Sequence, residues 1–165
     1  RPSHRFPTLE MRITDVCTRL DDAVSVAALF LCICRMLYRL RRNNQNWRMY
    51  PVFLVNENRW RAQRYGVEGT LFDFGKGTLE PFADLLGEIQ ALVSEDAAAL
   101  GCKAEVAHAS RIVAEGTSAD RQVATYERLI SSGASEEVAL RGVVDNLIEE
   151  TLAGTTFLGA PQQLA

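Results

Sequence analysis

The chain has 165 residues, of which 47% are hydrophobic and 24% charged, with a formal net charge of −3 at pH 7. That length suits one domain with a sizeable core, and the composition excludes a disordered tail, a collagen-like repeat and a disulfide-dense secreted miniprotein. The charge is unevenly placed, with 12 Arg against 5 Asp or Glu in residues 1–65 and 6 Arg or Lys against 16 acids in residues 66–165. Such a split fits a nucleic-acid binder, and equally a ligand-facing segment followed by solvated helices.

Residues 8–14 alternate, with Thr8, Glu10, Arg12 and Thr14 on one side and Leu9, Met11 and Ile13 on the other. Period two predicts a half-buried strand. Leu20-Asp21-Asp22 then opens a helical pattern to about Arg42, acidic in its first turn and basic in its last, as the helix dipole favours. Its middle is apolar on nearly every side and predicts a central, buried helix. The apolar run Ala23–Cys34 is too short to cross a bilayer, so no membrane partner is expected. Asn43–Asn46 is a polar break, and Asn56–Tyr65 reads as a short helix rich in arginine and aromatics.

Gly69–Phe74 and Thr78–Glu80 flank Gly75-Lys76-Gly77 and predict a small hairpin. That glycine turn lacks the full phosphate-loop pattern and its following helix. From Pro81 onward helices are expected over 82–100, 102–115, 118–131 and 135–152, divided by Gly101, Gly116 and Gly133. Ser118 and Ser135 are suitable N-caps, and the tail after Gly154 is expected to be loose. The fold class is α+β, with a few antiparallel strands at the N-terminal side and a mainly helical C-terminal part. Residues 1–80 form the strand, helix and hairpin portion, and 81–165 the helical portion, with acids on the outer helix faces.

Cys17, Cys32, Cys34 and Cys102 include no Cys-x-x-Cys pair, and only His4 and His108 could join them at a metal. No zinc site is expected; buried, reduced thiols in a cytoplasmic protein are. His108 reads as a structural or surface histidine without a carboxylate beside it. The ridge of Arg35, Arg39 and Arg42 reads as a solvated helix end.

Two constellations could carry chemistry. Glu10 and Arg12, two apart on a strand, share a face at roughly 7 Å between Cα atoms. A carboxylate there can ligate Mg²⁺, and a guanidinium can brace a transferred phosphoryl group. The same spacing also suits a modest surface ion pair. In Asn56–Gly66, Glu57, Arg61 and Arg64 share one helix side, and Trp60 can stack on Arg64. That composition suits a small carboxylate or phosphate ligand, RNA contacts, or a plain surface helix.

Arg1-Pro2-Ser3, Pro7-Thr8-Leu9-Glu10-Met11-Arg12 and Asp15 resemble the central signature of bacterial carboxylate–amine ligases, the glutamate–cysteine ligase type 2 group. Asn58–Gly69 resembles the family's Arg-Tyr-Gly region, and Gly116–Gln122 with Val143–Leu147 resembles its C-terminal helices. The resemblance runs in order through essentially the whole chain. It implies a glutamine synthetase-like fold and activation of a carboxylate, glutamate by preference, as an acyl phosphate by ATP and Mg²⁺. An amine such as cysteine then displaces the phosphate. Carried over by position, Glu10 becomes a Mg²⁺ ligand, Arg12 the residue stabilising the phosphoryl group, and Arg61 and Arg64 candidates for substrate or nucleotide contacts.

Members of the family are much longer. The chain is therefore expected to be a C-terminal portion, lacking full ligase activity by itself and partnered by the N-terminal part of the enzyme. Homo-oligomers are implied, and nucleic acid is not expected as a partner. The alternative reading is a non-catalytic helical binding or regulatory module with an arginine-rich face for nucleic acid or anions.

Overall fold

A computed structural model of the chain describes residues 3–155; Arg1, Pro2 and most of the tail after Gly154 lie outside the described residues. The chain divides into two compact units. One contains the N-terminal segment to Val16 and Asp21–Thr117, the other Cys17–Leu20 and the chain from Ser118 onward. The composition boundary at 80/81 lies inside the first unit.

The first unit carries α1 (Leu20–Arg42), α2 (Val52–Tyr65), a 3₁₀ turn (Gly66–Glu68), β1 (Thr70–Asp73), β2 (Thr78–Pro81), α3 (Phe82–Leu92), α4 (Ser94–Leu100) and α5 (Lys103–Glu115). β1 and β2 pair antiparallel with Thr70 opposite Pro81 and Asp73 opposite Thr78. The connecting turn closes on Asp73, whose Oδ1 accepts the backbone N–H groups of Gly75 at 2.7 Å and Lys76 at 3.1 Å. These backbone bonds from Lys76 and Gly75 hold the Asp73 carboxyl below the usual aspartate value. A mainly helical chain with one hairpin is α+β, as the periodicities predict.

The expected strand over residues 8–14 does not form: only Leu9 makes a single bridge. A strand needs a neighbour for its backbone N–H and C=O groups, and this segment has none among the described residues. Its alternation nevertheless leaves Leu9 and Ile13 exposed.

The core is small. Ala28, Cys32 and Met36 of α1 meet Val93, Ala97 and Val106 across the helix faces, with Leu29, Ile33, Leu40 and Cys102 packed at the margin. The α1 residues follow i, i+4, i+8, so one stripe of that helix is buried. Its other faces are open: Leu31 is 53% exposed and Tyr38 64%. This corrects the expectation of a helix buried all round. At 23 residues α1 is also long and apolar enough to cross a membrane by length and composition alone, which the shorter run Ala23–Cys34 did not suggest. Its Arg35 and Arg39 side chains find partners inside the unit, while the buried Ser25 hydroxyl has none among the described residues.

The tightest of these partnerships is ionic. Asp96 of α4 is fully buried and lies between Arg35 and Arg39. Arg35 Nη1 reaches Asp96 Oδ1 at 2.5 Å, while Arg39 Nη2 reaches Oδ2 at 2.9 Å. The predicted solvated ridge is therefore corrected at two positions. Arginines 35 and 39, one helical turn apart, both turn onto an acid 57–61 residues away. Elsewhere in the unit, Gln90 donates to the carbonyl of Val106 at 2.8 Å and accepts from Ser110 at 3.0 Å, tying α3 to α5.

The second unit pairs α6 (Ser118–Ser131) with α7 (Glu136–Leu152). Ser135 caps α7 by accepting from the N–H of Val138, as its position before Glu136 and Glu137 predicts. Ser118 opens α6 and accepts from the hydroxyl of Thr18 at 2.9 Å. Glu150 is largely buried, and Arg121 reaches it at 2.6 Å and Arg19 at 3.1 Å. Burial pushes this carboxyl up, but the hydrogen bonds and charges of Arg121, Arg19 and Thr18 outweigh that and hold it below the ordinary glutamate value. Asp96 and Glu150 correct the expectation that the acidic half is uniformly a solvated exterior.

Asp96 gives an acid-stability prediction. The hydrogen bond from Arg39, aided by Arg35, holds its carboxyl below the usual 3.8 despite burial. A depressed folded value means the stabilisation is present above the unfolded value and is lost as pH falls through the folded one. Asp96→Asn is expected to lower unfolding stability by about 2 kcal/mol at neutral pH. It should also flatten the loss of stability below pH 3.8. Urea midpoints measured across pH check both effects.

Candidate functional site

The Glu10–Arg12 pair survives without the strand that was to carry it. Arg12 Nη2 and Nε lie 2.6 and 2.7 Å from Glu10 Oε2. Upstream, the amide of Ser3 donates to the carbonyl of Thr8 at 2.8 Å, and Ser3 Oγ accepts from the amides of Arg5 and Phe6. This turn feeds the chain into the extended stretch that holds both charges. The side chains are 67% exposed for Arg12 and 42% for Glu10. An ion pair this open contributes little to stability.

The second candidate lies on α2 and is built from Asn58 upward. Asn58 Nδ2 donates to the carbonyl of Phe72 at 2.8 Å, and its Oδ1 accepts the Phe72 N–H at 2.7 Å. One amide side chain thus mimics a strand neighbour for β1 and fixes the rotation of α2. Gly66 ends the helix at φ 61°, a conformation that a side chain disfavours. Gly69 follows with its backbone against Tyr65, where an added Cβ would come within 2.7 Å of Tyr65 Cβ. The chain reverses tightly, and Arg61, Tyr65, Glu68, Gly69 and Thr70 come to line a surface cleft of about 490 Å³.

Arg61 lies beside that cleft and is anchored by Glu57 at 2.9 Å. Arg64, by contrast, is exposed and is not among the residues lining it. The expected stacking of Trp60 on Arg64 is corrected: Trp60 meets Tyr65 edge-on, with ring centroids 5.7 Å apart. Regular helical spacing favours the i,i+4 contact, and the Trp60–Tyr65 contact forms at the last residue of the helix, where α2 ends at Gly66. Glu10 and Arg12 are likewise outside the lining of this cleft. The structure therefore brings Glu10 to Arg12 and Glu57 to Arg61, as two separate pairs.

Among the described residues no group of three or more His, Cys, Asp or Glu could hold a metal ion. Glu10 is one carboxylate and already faces a guanidinium, so these residues alone do not fit a Mg²⁺ site. Two further polar pairs escaped the sequence reading. His108 Nε2 lies 2.8 Å from Oδ1 of the buried Asp22, correcting the view that no carboxylate accompanies it. Their 86-residue separation hid the contact. Cys32 and Cys102 approach to 3.5 Å between sulfurs.

The profile of glutamate-cysteine ligase family 2 matches residues 1–146. The chain belongs to this family. It is 60% identical over 153 residues to a Rhodospirillum rubrum protein named "Putative glutamate--cysteine ligase 2", covering 93% of this chain and 39% of that protein. Proteins of the same name from Jannaschia sp. and Herpetosiphon aurantiacus are 51% and 40% identical, over 91% and 98% of this chain and 39% and 40% of theirs. The chain thus spans about two-fifths of the length of these relatives. No solved structure matches it. Within glutamate-cysteine ligase family 2, the matched region includes Glu10, Arg12, Arg61 and Arg64.

Asn58 supplies the test of how the α2 cleft is built. Asn58→Ala leaves the half-buried N–H and C=O of Phe72 without their partner and is expected to lower stability by about 1–2 kcal/mol. The amide of Phe72 should exchange with solvent markedly faster, while amides of α7 stay at the parental rate. Hydrogen exchange read residue by residue checks this.

Proposed function

We propose that the chain is the C-terminal portion of a cytoplasmic, ATP-dependent carboxylate–amine ligase. The enzyme would join glutamate, or a related acid, to cysteine or another small amine through an acyl phosphate. Two observations support the reading: membership of glutamate-cysteine ligase family 2, and an exposed Glu10–Arg12 pair inside the matched segment. The pair carries the proposal, because it sets an oxygen ligand beside a planar cation at a solvent-accessible position.

In this reading Arg12 directs its guanidinium at the phosphoryl group leaving ATP for the substrate carboxylate. Charge spreads over the phosphoryl oxygens in that transfer, and a planar, permanently charged donor opposes it. Glu10 holds Arg12 in orientation and would supply at most one oxygen to a Mg²⁺ ion bound with the nucleotide. The metal would neutralise phosphate charge. Arg61, already oriented by Glu57, offers a cation to a carboxylate or phosphate entering its cleft, and Arg64 is a weaker candidate for the same role.

The extended segment around Glu10 fits a strand that pairs only in the full-length protein, within a glutamine synthetase-like sheet. Leu9 and Ile13, both exposed and on one side of the alternation, would be covered there.

The full-length protein tests the assignment through ADP release in the presence of both an acid and an amine. Arg12→Ala should reduce turnover by about 10³-fold or more, and Glu10→Gln by about 10²-fold. Because the pair is exposed, neither change should move the thermal midpoint by more than about 2–4 °C. Unchanged turnover in both variants would remove the pair from the reaction. Steep salt-dependent RNA binding without ADP release would favour the binding-module reading instead.

A further inference from the structure

Cys32 and Cys102 are 70 residues apart in sequence, yet their sulfurs lie 3.5 Å apart. Both are free thiols, and so are Cys17 and Cys34. The pairing is selective. Cys34 lies two positions farther along α1 and leaves the helix in a nearly opposite direction. Cys17 belongs to the other compact unit.

The two partners differ in a way that gives each a role. Cys32 is fully buried in the α1 stripe, whereas Cys102 is half-buried in the short connection between α4 and α5. Gly101 precedes it in a left-handed conformation at the end of α4, so Cys102 sits outside regular helix. A disulfide needs its sulfurs at about 2.05 Å. The closure falls on a connector residue rather than on a helix interior. Burial, together with the neighbouring Cys102 thiol, pushes the Cys32 thiol up to about 11. Cys32 therefore keeps its proton and stays out of reach of dissolved oxidants, which meet Cys102 first.

We propose that Cys32 and Cys102 form a reversible oxidation site, closed to a disulfide by a hydroperoxide and reopened by a dithiol. Cys102 sulfur attacks a peroxide oxygen, so an S–O bond forms as the O–O bond breaks. The departing oxygen takes the thiol proton and leaves as water. Cys32 sulfur then attacks the sulfenic sulfur of Cys102; the S–S bond forms, the S–O bond breaks, and the released hydroxide takes the Cys32 proton as a second water. The two thiols lose two electrons and two protons, and hydrogen peroxide is reduced to two waters.

The position gives the bond a consequence. Cys32, Arg35 and Arg39 lie along one side of α1, and Arg35 and Arg39 already grip Asp96 on α4. A Cys32–Cys102 disulfide would continue that clamp covalently to the α4–α5 junction. It would also close a long loop in the unfolded chain, which stabilises the fold by restricting that chain.

The test treats the reduced full-length protein with a small excess of hydrogen peroxide and maps cysteines under non-reducing conditions. The expected result is a linked peptide pair containing Cys32 and Cys102, about 2 Da lighter than the two thiol peptides and restored by dithiothreitol. The thermal midpoint should rise by about 5 °C with the bond formed. Cys102→Ser should abolish the link and the rise, and Cys34→Ser should leave both. Recovery of Cys102 as a sulfinic acid with Cys32 still a thiol would overturn the proposal. So would linkage of Cys32 to any other cysteine, or a linked form with a lower midpoint.

Discussion

A fully buried carboxylate on α4 dictates how α1 must lie. Asp96 has no access to water, and a charge without water must be met by opposite charge and hydrogen bonds. Arg35 and Arg39 meet it from one face of α1, and only one rotation of that helix brings both there. The apolar contacts are less directional. Ala28, Cys32, Met36, Ala97, Val93 and Val106 make a small cluster whose contacts are non-directional. The ion cluster fixes the orientation in which Cys32 also meets Cys102. The second unit repeats the device with Glu150 held by Arg121 and Arg19.

This changes the meaning of the charge split. The arginine-rich first half and the acid-rich second half suggested either a nucleic-acid surface or a ligand-facing segment. Part of the asymmetry is internal complementarity: Arg35 and Arg39 are matched by Asp96, and Arg19 by Glu150. Arginines already committed to buried acids are poor material for a continuous phosphate-binding stripe. The positions that stay open are fewer, and they include Arg12 and Arg64.

Local features were legible in the sequence because they depend on neighbours along the chain. The acidic start and basic end of α1, the glycine turn between β1 and β2, and the Ser135 cap were each readable from a few adjacent residues. Long-range partners were not. Nothing near Ser94-Glu95-Asp96 distinguishes the acid that is buried from the one beside it. Asp22 and His108 are likewise unremarkable until folding brings them together. Two arginines one turn apart on an apolar helix did carry a usable signal, since such a face calls for a buried acid. The segment around Glu10 is the opposite case: its alternation is real, but a strand also needs a neighbour. The contact of Glu10 with Arg12 was legible through their spacing, whereas the cleft beside Arg61 depends on Asn58 and Gly69, whose roles appear only in three dimensions.

The central proposal is that the full-length protein activates a carboxylate by phosphorylation, and isotope transfer tests that step without assuming a particular residue. Full-length protein would be supplied with ATP, an amine and glutamate carrying ¹⁸O in its carboxylates, and the released phosphate analysed by mass spectrometry. An acyl phosphate requires one ¹⁸O to pass from the carboxylate to each phosphate released with amide formation. Unlabelled phosphate accompanying amide product, or release of AMP in place of ADP, would contradict it.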